Sequence, residues 1–197
     1  MWWNKVIFGW SVYHVILWFM TYSILGWIVE SVYMSICNRK LTNRGFVKGP
    51  FCPIYGVGAL AVFFLLRPYS DNPVRLFIMG TFLATSLEFI TAMIMQKIFG
   101  EIWWDYRDKP FNYKGIICLE SSVAWGFYTL GLFFFLHNFV VSFVDSIPVL
   151  AGKIAGSLIL LAFTVDFMTS LYQEKKDDIP DKIWEWKEIL LGKFSGE

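Results

Sequence analysis

An all-α bundle spanning a membrane is the fold this sequence predicts, and three observations carry it. Apolar runs long enough to cross a bilayer recur along all 197 residues. Hydrophobic residues make up 56% and aromatic residues 20% of the chain, against 17% charged, too little charge for a soluble domain of this size. No run alternates polar and apolar as a membrane barrel strand would.

The runs place five transmembrane helices at residues 10–37, 51–66, 74–99, 117–143 and 149–172. The first follows Trp2, Trp3 and Trp10, which suit an aromatic belt. The second is approached through Gly49-Pro50-Phe51-Cys52-Pro53, where two prolines forbid a regular helical start. The third precedes a loop holding Trp103 and Trp104, which suit the opposite belt. The fourth and fifth are split near Pro148. Residues 1–172 thus form one membrane domain. In the tail, 173–197, Pro180 starts a segment with Ile183, Trp186 and Leu190 at helical spacing. It reads as an amphipathic helix on the membrane surface. No cleavable leader is read at Met1-Trp2-Trp3-Asn4, which lacks a basic segment.

Lys and Arg set the orientation. With the N-terminus outside and the C-terminus inside, thirteen bases fall on the inner side and four (Lys5, Arg67, Arg75, Lys153) on the outer. This makes a multi-pass protein of the cell (plasma) membrane, surrounded by membrane lipid. A net charge of +1 gives no reason to expect nucleic acid. The three cysteines, Cys37, Cys52 and Cys118, fall near the inner side and match no metal spacing. His14 and His137 fall near the outer side, away from the acids, so no metal site is expected; nothing names a cofactor. No phosphate-binding loop or nucleophile elbow is present.

Carboxylates inside spans mark the candidate site. Glu88 lies mid-helix on a face with Thr81, Ala84, Thr85, Thr91 and Ala92, small enough to pack closely against a neighbour. Glu30 shares a face with Gly26, Tyr33 and Cys37; Glu120 lies early in the fourth helix; Asp166 lies in the fifth. Acids gathered in low dielectric need cations, protons or bases to offset them. Arg39 and Arg44, with Arg107 and Lys114, are the bases that reach. Buried pairs such as Glu30–Arg44 that only lock loops over the bundle are an equally weighted reading. The set of solute- or ion-binding candidates is Glu30, Arg39, Asn43, Arg44, Tyr55, Glu88, Asp105, Asn112, Glu120, Ser122 and Asp166, with no catalytic residue assigned.

Two stretches invite comparison. Glu30, a loop Asn43-Arg44-Gly45-Phe46-Val47-Lys48-Gly49, then Cys52-Pro53-Ile54-Tyr55-Gly56 parallels Glu88, a loop Phe111-Asn112-Tyr113-Lys114-Gly115, then Cys118 leading to Trp125-Gly126. Both enter in the same direction, as a parallel two-helix repeat about an axis along the membrane normal would. The gaps make chance an equal explanation.

Glu30-Ser31, Asn43-Arg44-Gly45-Phe46, Gly49-Pro50-Phe51, Pro53-Ile54-Tyr55-Gly56 and Gly58 form the first block. Trp104-Asp105-Tyr106, Phe111-Asn112, Gly115, Cys118-Leu119, Ser122 and Trp125-Gly126 form the second. Through these the chain resembles a bacterial integral membrane family labelled as ABC transporter permeases, the CmpB-like, ABC-transporter type IV kind. The resemblance covers roughly residues 15–172. It implies a transport role and little else. Ile116 and Ile117 depart from the arginine expected nearby in many relatives, removing one base close to Glu120.

Three functions follow, in order. The first is a transport component that binds a small solute, ion or proton in a carboxylate-lined cytoplasmic-side cavity, paired as a homodimer or with a separate ATPase or other subunit. The second is a membrane-embedded enzyme acting on a lipid or lipid-linked substrate at the inner leaflet, with the Asn/Arg/Gly loops holding a phosphate. The third is a non-catalytic assembly or regulatory protein. The leaning is away from an enzyme.

Overall fold

The computed structural model describes residues 2–43 and 45–175. A turn at Trp2–Asn4 and two short antiparallel strands, β1 (Val6–Ile7) and β2 (Trp10–Ser11), lead in, with Ile7 opposite Trp10. Five helices follow: α1 (Val12–Asn38), α2 (Pro53–Leu66), α3 (Pro73–Phe99), α4 (Leu119–Asp145) and α5 (Val149–Lys175). All but α2 are long and apolar enough to cross a membrane. The five expected helices are therefore found, each shifted by at most a few residues. The tail segment expected to form an amphipathic helix, beyond residue 175, and Arg44 lie outside the described residues.

Local chemistry fixes the ends. Ser11 caps α1, its hydroxyl accepting from the His14 amide, and Arg39 closes it in the left-handed region at φ 51°. Asn72 accepts from the Val74 and Arg75 amides at the start of α3, with Pro73 in the first helical position, and Gly100 ends it at φ 78°. At α4 the cap is a cysteine: Cys118 Sγ accepts from the Ser121 amide while Ser121 Oγ accepts from the Cys118 amide.

α1 packs along α2, and α3 along α4, as two hairpins; α1 also touches α4 and α5. One end of the bundle, here the N-terminal face, gathers Asn4 with Lys153, His14 with Asp145, and Arg67 over Trp10. The opposite loop face gathers Phe46, Phe99, Trp103 and Phe167 into one aromatic cluster. The core centres on α1, where Trp18, Tyr22 and Ser23 are buried.

α2 is short because it starts inside the bundle. The Cys52 amide donates to the Ser23 carbonyl (3.0 Å), at mid-length of α1. The preceding segment, residues 45–52, climbs in from the loop face with Val47 and Phe51 buried. Phe51 wedges between Phe19 and Phe163. Non-helical backbone at this depth is tolerated because protein, not lipid, surrounds it. α4 is interrupted by a π turn, Leu132–Leu136, immediately before His137.

Candidate functional site

Glu88 is the hub. Its carboxylate accepts from Tyr106 Oη (3.0 Å), Trp125 Nε1 (3.1 Å) and, at the limit, Ser121 Oγ (3.5 Å). The three donors come from the 100–118 loop and the first two turns of α4. All are neutral, and among the described residues no base forms an ion pair with Glu88. Beside it, Thr85 Oγ1 is buried without a hydrogen-bond partner among the described residues. Burial, followed by the Glu88 charge, pushes the Tyr106 phenol above its ordinary value of 10.0, so it stays a donor.

Glu30 is set in a matching frame: Tyr55 Oη donates to it at 3.0 Å. Tyr55 immediately precedes Gly56, and Trp125 immediately precedes Gly126. Gly56 sits against Ser23 and Phe19; Gly126 sits against Thr81 and Phe77. Ser23 Oγ donates to the Phe19 carbonyl (2.7 Å) and Thr81 Oγ1 to the Phe77 carbonyl (2.9 Å). Each glutamate lies seven residues beyond its hydroxyl residue. The two hairpins thus use one device: an aromatic, a hydroxyl residue and an acid on one helix, and an aromatic–Gly pair on the other. Phe63 and Phe133, each seven residues beyond its glycine, meet at 5.7 Å, as equivalents on a shared axis would. α4 holds one extra turn, Leu119–Ser122, between its capping cysteine and its glycine; that turn supplies Ser121.

Asp166 of α5 accepts from the Gly49 amide at 2.7 Å, and a Cβ at Gly49 would lie 3.1 Å from its Oδ2. One turn on, Ser170 Oγ is buried without a hydrogen-bond partner among the described residues. The loop candidates act as braces. Asn43 donates to the Lys48 carbonyl and accepts from Trp27 Nε1 (2.6 Å). Asn112 donates to the Arg107 and Lys109 carbonyls and accepts from the Gly115 amide. Asp105 clasps Arg107, whose amide and then guanidinium hold its carboxyl below the ordinary range. Ser122 Oγ donates back to the Cys118 carbonyl.

The candidates do not all converge. Glu120 is exposed and paired with Lys109 at 2.9 Å, its bonds pushing the lysine's pKa up. Arg39 is exposed at the end of α1. The described structure groups Glu88 with residues not among the candidates, Tyr106, Ser121 and Trp125. The Trp125-Gly126 parallel to Tyr55-Gly56 was the available signal; nothing local marked Tyr106. Among the described residues no cluster of His, Cys, Asp and Glu could hold a metal ion, and Cys37, Cys52 and Cys118 form no disulfide there. His14 lies 3.3 Å from Asp145 at the N-terminal face, and His137 is buried in the core with its Nδ1 hydrogen-bonded to Tyr22.

Residues 17–171 match the model of a family described as "Putative ABC-transporter type IV". The match spans well over half of the chain, and the chain belongs to that family. No curated protein and no solved structure matches it.

Proposed function

We propose that this chain is the membrane-embedded component of a transporter, in which Glu88, with Glu30 as its counterpart, binds a small solute, ion or proton on the loop-face side of the bundle. The carrying observation is a carboxylate in a spanning helix held by three neutral donors with no described countercharge. Such an acid keeps its capacity to bind a positive group or a proton. Family membership supports the transport class. The charge count supports a multi-pass plasma-membrane protein with the loop face in the cytoplasm. There Leu41 and Phe111, both strongly exposed, would face a second copy or a separate ATPase subunit.

The lipid-enzyme reading is less favoured. It asks the loop bases for a phosphate, and in the second loop Arg107 is clasped by Asp105, Lys109 by Glu120, and Lys114 lies over the Tyr113 ring.

A thermal-shift screen of the detergent-purified chain tests the transport reading, using amino acids, polyamines, small organic anions and alkali cations as probes. At least one class raises the melting temperature of the wild type by several degrees and loses that effect in Glu88→Gln. The reading falls if no class separates the two proteins.

A further inference from the structure

α2 packs chiefly along α1 and α3 along α4, and a short turn at the N-terminal face, Arg67–Tyr69 and the residues up to Pro73, joins the two. Under that turn a groove of about 340 Å³ runs between them. Leu65 and Tyr69 form its α2 side, and Met79, Phe82, Leu83 and Ser86 its α3 side. Leu65, Met79 and Phe82 are exposed, so the groove opens sideways to what surrounds a spanning bundle, which is lipid. Ser86 Oγ donates to the Phe82 carbonyl of its own helix at 2.7 Å. Its hydroxyl is already engaged, and the deep end of the groove asks for an apolar occupant. The other end is charged. Arg75 lies one turn before Met79 on the same stripe of α3, exposed and in the first turn of the helix. Among the described residues neither Asp71, the exposed acid of the turn, nor any other acid forms an ion pair with it. Arg67, the other base of the turn, is held over the Trp10 ring. The start of α3 adds the positive end of its dipole, which also favours an anion there.

We propose that this groove is a lipid site: it holds one acyl chain of an anionic phospholipid from the leaflet at the N-terminal face, with the phosphate on Arg75. Size selects the chain. From Met79 to Ser86 the α3 wall is about 10 Å long, so the groove has a mean cross-section of about 30 Å². A helix about 10 Å across occupies about 80 Å², so the helix of a second copy does not fit where one hydrocarbon chain does. Charge selects the lipid. Hydrocarbon gains little by leaving one apolar medium for another, so packing alone does not distinguish this chain from its neighbours in the bilayer. An exposed guanidinium at the head-group level does, through charge-assisted bonds to phosphate oxygens and attraction to a net negative head group. Glu88 is turned to α4, so this site is separate from the carboxylate site and does not depend on what that site binds.

Native mass spectrometry of the full-length protein in detergent tests the site, with dioleoyl phosphatidylglycerol and dioleoyl phosphatidylcholine as probes. The wild type should bind its first phosphatidylglycerol about five-fold tighter than phosphatidylcholine, the effect of one base near an anionic lipid surface. Arg75→Gln should lose that preference, and Arg75→Lys should keep most of it. Leu65→Trp, which fills the groove and leaves Arg75 in place, should weaken the binding of both lipids. In vesicles, phosphatidylglycerol carrying a diazirine midway along one chain should cross-link to the groove residues Leu65, Met79 and Phe82 several-fold more than to the similarly exposed Leu158 and Leu161 of α5. The proposal is overturned by equal binding of the two lipids to the wild type, by a preference that survives Arg75→Gln, or by adducts spread evenly over α3 and α5. It is overturned as well if Phe82→Cys forms a disulfide between two copies in vesicles, since another chain then covers the groove.

Discussion

Glu88 and Gly56 show how single residues decide this bundle. An acid in a spanning helix is held because each donor around it is itself placed by a cap or a loop brace: Ser121 by the Cys118 box, Trp125 two turns into α4, Tyr106 by the turn that Asp105 and Arg107 clasp. Glycine lets the helices approach closely enough for this. At Gly56 a Cβ would collide with Ser23 and Phe19, whereas at Gly58, half a turn away, it would meet nothing within 4 Å. Gly56→Ala is therefore expected to cost roughly 1–3 kcal/mol through overpacking. Gly58→Ala should be neutral or stabilising by up to about 1 kcal/mol. Unfolding of both variants in mixed micelles checks this. The loop clasp adds a pH effect. Asp105 has a folded pKa below its ordinary 3.8, so its contribution is present above that value and is lost as the pH falls through the lower folded value. Hydrogen exchange at the Arg107 amide, corrected for intrinsic acid dependence, should speed up on acidification and be fast already at neutral pH in Asp105→Ala. Lys109 has the opposite sign: its folded pKa is raised, so its pairing with Glu120 persists through neutral pH and is lost only as the pH rises past the lysine range.

At the scale of elements, the structure turns on two irregular pieces, and only one was readable in advance. The helix extents were legible from the apolar runs; their ends rest on Ser11, Asn72, Pro73 and Gly100, cap residues in cap positions. The broken start of α2 was legible from its prolines. That it begins at the depth of Ser23 was not, since depth is set by contacts with Phe19 and Phe163 far away in sequence. The π turn was invisible because Leu132–Leu136 is uniformly apolar, LFFFL, and carries no phase information. The climbing segment hangs on the bond from Gly49 to Asp166, a charge-assisted contact worth about 1.5–3 kcal/mol. Asp166→Asn should loosen it. Cys52, buried at 7% exposure in the wild type, should then react with a small maleimide about ten-fold faster or more, since about 1.4 kcal/mol is a factor of ten.

For the whole molecule, the sequence left the repeat undecided, because the Cys52/Cys118 register and the Tyr55-Gly56/Trp125-Gly126 register disagree by one turn. The extra turn Leu119–Ser122 reconciles them, and it explains why Glu88 gains a donor from Ser121. Two hairpins built on one plan also make orientation testable as a unit. If the loop face is cytoplasmic, Phe111→Cys should be labelled by a membrane-impermeant maleimide only in inverted vesicles, and Phe8→Cys only in right-side-out ones. The reverse pattern would show that the thirteen inner bases misplace the chain. The brevity of α2 has an electrical meaning as well. Its 14 residues span about 21 Å, against about 30 Å of hydrocarbon. If the segment below it admits water, the membrane voltage falls across the shorter stretch between Cys52 and Arg67. A charge moving there would feel a steeper field, and each elementary charge crossing the full drop gains about 2.3 kcal/mol per 100 mV. The acids beneath α2 would then sit at the foot of a compressed voltage gradient, outside most of the drop, while the Tyr22–His137 pair would sit within it.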